Sequence, residues 1–246
     1  PYTEYTKVTR EDASAIFAYL QSLPAVSQIN PRSELKFPYN YRPLLYIWRA
    51  LYFKDGSYQV DTAKSEEWNR GAYLVQGLGH CNACHTTRNL LGASQDDELA
   101  GGQIMGMNWY APSLTSHLEA GSGNWTIEEI VELLTTGISK RASISGPMAG
   151  ITRQSLQHLS PEDMRAMAVY LKSLAKNAMP VVPTMNFSVT TGTFKRHMAA
   201  GEVLYKKHCE DCHGASGKGV PGIYPPLAGN RSVVMHSPLN TIRSVL

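Results

Sequence analysis

No apolar run in these 246 residues approaches the roughly 18 to 20 that a membrane-spanning helix needs, so no segment of this sequence crosses a bilayer as a helix. There is also no charge excess of the size that gathers a polyanion. The formal charge is only +3, and no nucleic-acid partner is expected. The sequence does not open with the basic and then apolar pattern of a secretory leader. Cysteine is scarce: there are four, in two pairs, and none is left for a structural disulfide or a separate metal site. With 43% hydrophobic and 17% charged residues, the composition is that of a folded protein, long enough for one large domain or about two ordinary ones.

The chemistry lies where the cysteines are. Residues 71–85 read GAYLVQGLGHCNACH and end in Cys81, Cys84 and His85; the pattern returns as Cys209, Cys212 and His213. A thioredoxin-like redox pair or half of a zinc site would also use two cysteines. Neither accounts for the histidines, and one shared zinc would have to unite motifs far apart in the chain. Two thiols separated by two residues can each add across one vinyl group of a porphyrin, with the next histidine under the iron. Covalent haem c is therefore expected twice, on Cys81 and Cys84 and on Cys209 and Cys212, with His85 and His213 as axial ligands. Haem c is attached on the oxidising side of a membrane, which points to the periplasm.

The intervening sequence reads as helices. Residues 9–23, TREDASAIFAYLQSL, have Thr9 as cap, Glu11 and Asp12 at the positive end, and an apolar stripe of Ile16, Tyr19, Leu20 and Leu23. Residues 160–174, SPEDMRAMAVYLKSL, repeat them at a constant offset, an internal repeat. Between 24 and 64 four prolines interrupt an aromatic-rich connector, in which Pro43 to Phe53 could form one short helix. Aromatic helical faces are usually core, so this helix is expected to pack as a belt between two units. A docking or quinone-binding surface is the less favoured reading.

Ser65 opens a helix that carries Gly71, Leu74, Val75 and Leu78 toward the first motif. Gly71 would allow a second helix to cross closely. Thr126 and Glu129 form a capping box for a helix that Gly137 ends and whose Ile127, Ile130, Val131 and Leu134 could cover haem. Residues 175–193 lack periodicity. The pattern then resumes at Phe194, with Gly201 standing for Gly71 but two residues nearer its motif. Tyr224, Pro225, Pro226 and Leu227 match Tyr110, Pro112 and Leu114, and Thr241 to Leu246 begin another helix.

Taken together, WNRGAYLVQGLGHCNACHTTRNLLGA, GPMAG with SLQHLSPEDMRAMAVYLKSL, and GEVLYKKHCEDCHGASGKG with YPPLAGN closely resemble the three-haem cytochrome c subunit of bacterial membrane-bound alcohol, gluconate and related sugar or aldehyde dehydrogenases. The resemblance implies an all-α chain of tandem class I cytochrome c domains. Residues 1–23 would close a first domain, 24–64 connect, 65–175 form a complete domain, 176–193 link, and 194–246 begin a third. Two haems are expected in this chain and three in the full-length protein, since the first haem motif and the end of the third domain would lie outside it.

The resemblance also makes Met148, on a loop with Gly146 and Pro147, the second axial ligand opposite His85. Met105, Met107, Met164 and Met167 compete for that role, Met235 is a weak candidate in the third unit, and the sixth ligand there is left open. In this family a quinoprotein or flavoprotein subunit oxidises the substrate, and the cytochrome passes electrons to ubiquinone at the periplasmic side of the cytoplasmic membrane. The chain is expected to carry electrons and not to catalyse alone. Its rivals are the cytochrome subunit of a terminal oxidase or a molybdenum hydroxylase, and a dihaem peroxidase-like enzyme.

Overall fold

Helix starts follow the capping chemistry. In the computed structural model, which describes residues 2–95, 98–116, 119–175 and 191–246, Thr9 accepts from the Asp12 amide at the head of α1 (Arg10–Ser22). Ser65 and Ser160 do the same for α3 (Glu66–Tyr73) and α7 (Pro161–Ser173). Thr126 and Glu129 exchange both bonds of a capping box at α5 (Ile127–Thr136), which Gly137 ends at φ 82°. Each cap satisfies an amide that the first turn leaves unpaired. α2 (Leu44–Tyr52) is the short helix expected in the connector.

The centre of the fold is the crossing of α3 and α7. It is closest at Gly71, where an added Cβ would stand 1.9 Å from the Ala166 carbonyl oxygen, so only glycine fits. Around it Arg70 forms a two-pronged ion pair with Asp163, Trp68 Nε1 donates to Ser173 Oγ at 2.7 Å, and Gln76 donates to the Tyr170 hydroxyl at 2.6 Å. Leu74, Val75, Met164, Met167, Tyr170 and Leu171 form the buried core beside this crossing.

Beyond Tyr73 the helix does not run on regularly into the haem motif. Leu74–Leu78 widen into a π-helical turn, in which Gly79 N donates to Leu74 O and Cys81 N to Val75 O. At the second motif Cys209 N bonds Tyr205 O in ordinary α-helical register, at the end of α8 (Thr191–His208). The two extra residues between Gly71 and Cys81 are taken up in this wider turn, a bulge in the helix. The bulge also forms a seat for the start of the chain: Lys7 bonds Gln76, and Tyr73 OH accepts from Thr9 N and donates to Asp12.

One expectation, the belt formed by α2, needs correction. α2 is not a buried belt, because it has no buried residue. A small hairpin accompanies the helices: Gly102–Ile104 (β1) and Trp109–Ala111 (β2) pair antiparallel, with Ile104 opposite Trp109. Positive-φ residues Gly106 and Asn108 lie in the turn between them, and sequence alternation gives no warning of so short a hairpin. The linker expected at 176–193 lies outside the described residues as far as 190, and helix α8 already begins at Thr191, three residues ahead of the expected restart.

The remaining elements are α4 (Asn82–His85), α6 (Pro147–Gln154), α9 (Glu210–His213), α10 (Arg231–Val234) and α11 (Leu239–Val245). Residues 230–240 join the preceding unit through polar contacts. Arg231 N donates to Arg141 O at 2.7 Å, and Asn230 Nδ2 to Ser143 Oγ at 3.0 Å.

Candidate haem-binding sites

Both Cys-x-x-Cys-His motifs fold the same way. Each is a single helical turn, α4 or α9, in which the histidine amide donates to the first cysteine's carbonyl at 2.9 Å. Each histidine carbonyl then accepts from a positive-φ glycine, Gly101 N at 2.7 Å and Gly219 N at 2.8 Å. A Cβ on Gly101 would lie 2.5 Å from Ser113 N, and one on Gly219 would lie 2.3 Å from Tyr224 O. These glycines let the returning loop pass against the motif.

That loop carries the acceptor that sets the imidazole. His85 Nδ1 lies 2.7 Å from Pro112 O and His213 Nδ1 lies 2.9 Å from Pro225 O. A carbonyl only accepts, so Nδ1 carries the proton and Nε2 presents its lone pair, the tautomer a metal needs. Burial pushes the His85 pKa down, which keeps the ring neutral. Sequence reading paired the prolines without giving them this role; the repeated Tyr, Pro and Leu spacing was the available signal.

None of the four cysteines is paired in a disulfide. Burial pushes the Cys81 thiol up to about 12, which opposes a thiolate but not an uncharged thioether. Among the described residues no group of three or more His, Cys, Asp or Glu is arranged to hold a metal ion.

Met148 differs from expectation in setting but not in neighbourhood. It lies in the first turn of α6, not on a loop, with Pro147 at the first helical position and Gly146 held at φ 59° against Trp109. Met148, Cys81, Val131 and Leu134 all pack, half-buried, on one core cluster. Met164 and Met167 belong to that cluster, each 2% exposed, while Met105 and Met107 are exposed near the hairpin turn and Met235 is buried at the end of α10. One turn after Met148, Thr152 carries a buried hydroxyl without a hydrogen-bond partner. An orphaned buried donor on the same side of α6 as Met148 fits a bound group with polar edges.

The second motif is more open. His213 is half-buried beside Tyr224, with ring centroids 6.2 Å apart. On α8 the face of Phe194, Met198 and Gly201 borders an open hollow of about 560 Å³, and nothing stands within 4 Å of a Cβ at Gly201. The close crossing seen at Gly71 has no counterpart there among the described residues.

A helical scaffold that twice presents paired thiols followed by a carbonyl-tethered histidine defines a c-type haem protein. The cytochrome c family model matches residues 69–175 and 198–246, and the chain belongs to that family. Over its whole length the chain is 38% identical to a nicotinate dehydrogenase subunit of Pseudomonas putida, covering 20% of that protein. It is 34% identical, again over its whole length, to the fructose dehydrogenase cytochrome subunit of Gluconobacter japonicus, covering 54%. Over 97% of the chain it is 35% identical to the cytochrome c subunit of a quinone alcohol dehydrogenase of Gluconobacter oxydans, covering 52%. The chain thus spans about half, or less, of the length of these curated relatives.

Proposed function

We propose that this chain is the electron-carrying cytochrome part of a bacterial dehydrogenase, taking single electrons from a quinoprotein or flavoprotein subunit and passing them toward ubiquinone at the periplasmic face of the cytoplasmic membrane. The observation that carries this reading is the duplicated, carbonyl-tethered histidine behind each pair of cysteines. Relatives named as cytochrome subunits of dehydrogenases match along nearly the whole chain.

Cys81 and Cys84 would hold one haem c and Cys209 and Cys212 another, with His85 and His213 as proximal ligands. Met148 would be the distal ligand of the first. Haem supplies a reversible one-electron carrier; the protein's residues set its position and potential. The carbonyls of Pro112 and Pro225 fix each imidazole. The apolar cluster on which Cys81 and Met148 pack would shield the bound group from water, and the unpaired Thr152 hydroxyl one turn beyond Met148 would be available to a polar edge of it. If His85 and Met148 both held the iron of the first haem, no place would be left there for substrate, which favours electron carriage over catalysis.

The test is optical. Membranes holding the native protein, kept anaerobic, receive ethanol, gluconate, fructose, an aldehyde or nicotinate in turn while the haem bands are followed. Rapid reduction by one of them, lost on deletion of this gene, supports the relay and names its substrate class. Absence of reduction by all five sinks it. Nicotinate is included because the 38% relative is named for it, so a partner that oxidises a heteroaromatic acid is the second reading.

A further inference from the structure

We propose that Glu119 is a positioning residue for the first haem, acting on His85 through one peptide unit so that its negative charge lowers the potential of the iron His85 would hold. The Pro112–Ser113 peptide is hydrogen-bonded at both ends. Its carbonyl oxygen lies 2.7 Å from His85 Nδ1, and its N–H donates to Glu119 Oε2 at 2.6 Å. The Tyr110 hydroxyl donates to the same carboxylate, 2.9 Å from Oε1 and 3.1 Å from Oε2. Burial, and then the bond to Glu119, pushes this hydroxyl up to about 12, so it stays a donor.

A peptide is one conjugated unit. A carboxylate drawing on the N–H shifts electron density toward the carbonyl oxygen, and hydrogen bonds chained in this way strengthen one another where water is excluded. Ser113 is buried, so water does not compete at the bridge. The Pro112 oxygen then accepts more strongly from Nδ1–H, which makes Nε2 a more basic ligand. The charge itself also favours ferric iron, the more positive state, over ferrous. Both effects act in the same direction.

The second motif has no such route. The residue after its tethering proline is Pro226, which has no N–H to offer a carboxylate. His213 Nδ1 still meets Pro225 O at 2.9 Å, so the tether itself does not need one. The next carbonyl is held by a neutral donor in both loops: Ala120 N to Ser113 O at 3.0 Å, and Asn230 Nδ2 to Pro226 O at 2.7 Å. Glu119 is thus an addition to a loop whose counterpart closes without it. The inference rests on the proposed reading in taking His85 as a haem ligand.

The test is redox titration of the purified native protein with its haems attached, beside Glu119→Gln and Tyr110→Phe. Glutamine keeps an oxygen for Ser113 N and removes the charge. The ferrous-to-ferric ratio of one haem at a fixed potential should rise about fivefold, a shift of about 40 mV at about 59 mV per tenfold. The Nδ1–H proton resonance of His85 in the ferrous protein should move upfield as its hydrogen bond weakens. Tyr110→Phe disturbs the same loop but leaves the carboxylate on Ser113 N, and should not raise the potential. Unmoved potentials in Glu119→Gln overturn the proposal. So does an equal rise in Tyr110→Phe, since that would assign the effect to loop packing. Both of those results leave the haems attached and reducible by substrate, so this inference can fail while the electron-carrier reading stands.

Discussion

The side-chain amide of Asn240 makes both hydrogen bonds of a strand neighbour to Tyr110: it accepts from Tyr110 N at 2.9 Å and donates to Tyr110 O at 2.7 Å. Asn240, on α11, is buried and belongs to the unit of the second motif, while Tyr110 lies on β2 in the unit of the first. One amide therefore stitches the two haem-motif units together at the hairpin. Asn240→Ala would strip both partners and should weaken this junction by about 2 kcal/mol, speeding exchange of the Tyr110 amide about thirtyfold. Asn240→Asp should do no better, because it keeps an acceptor but turns a carboxylate toward the Tyr110 carbonyl. Unchanged exchange in both variants would remove the stitch.

The two corresponding glycines make an internal control. Gly71→Ala drives a methyl into the Ala166 carbonyl, and backbone cannot swing aside as a flexible side chain can; a loss of about 3 kcal/mol, the upper end for overpacking, is expected. Gly201→Ala meets open space and should gain up to about 1 kcal/mol of helix propensity. Thermal unfolding of the two variants should move in opposite directions. The sign at Gly201 reports whether another helix crosses there in the intact protein, because a close crossing would make that substitution costly too.

The Arg70–Asp163 pair ties α3 to α7 with two contacts of 2.7 Å. Its hydrogen bonds hold the Asp163 carboxyl below its usual 3.8. A depressed carboxylate stabilises the fold above its unfolded value and ceases to as pH falls through the folded one, so this contribution is present at neutral pH and fades below about pH 4. Arg70 is nearly half exposed, which limits the effect to about 1 kcal/mol or less. Denaturant midpoints of Asp163→Asn and the parent should differ at pH 7 and draw together as pH falls through the depressed carboxyl's titration; a constant gap would assign the effect to packing.

Much of this arrangement can be read from residue types alone, because the chemistry involved is local. Thr9, Ser65, Thr126 and Ser160 cap helices by bonds to amides three residues away, and a Cys-x-x-Cys-His run needs only one helical turn. What could not be read depends on partners distant in sequence. The π-helical turn at Leu74–Leu78 was visible only as a two-residue difference between the Gly71 and Gly201 spacings. The hairpin is too short for alternation to show, and the exposure of α2 depends on what packs against it. Pro112 and Pro225 could be paired by pattern, yet their carbonyls gain meaning only when the loop folds back over His85 and His213.

Met148 and Met164 separate ligation from packing. Both belong to or border the same core, but Met164 is 2% exposed within it, while Met148 is half-buried at the head of α6 one turn before the orphaned Thr152 hydroxyl. If Met148 is the distal ligand, Met148→Ala removes a soft sulfur that favours ferrous iron, so the midpoint potential of one haem falls and its iron opens to carbon monoxide. Met164→Ala should instead cost about 2 to 5 kcal/mol of stability through a cavity and leave carbon monoxide excluded. Redox titration with a carbon monoxide difference spectrum, beside an unfolding curve for each variant, distinguishes the two. A Met148→Ala protein with unaltered potential and no new ligand band would pass the role to another residue, with Met105 and Met107, exposed at the hairpin turn, next in line.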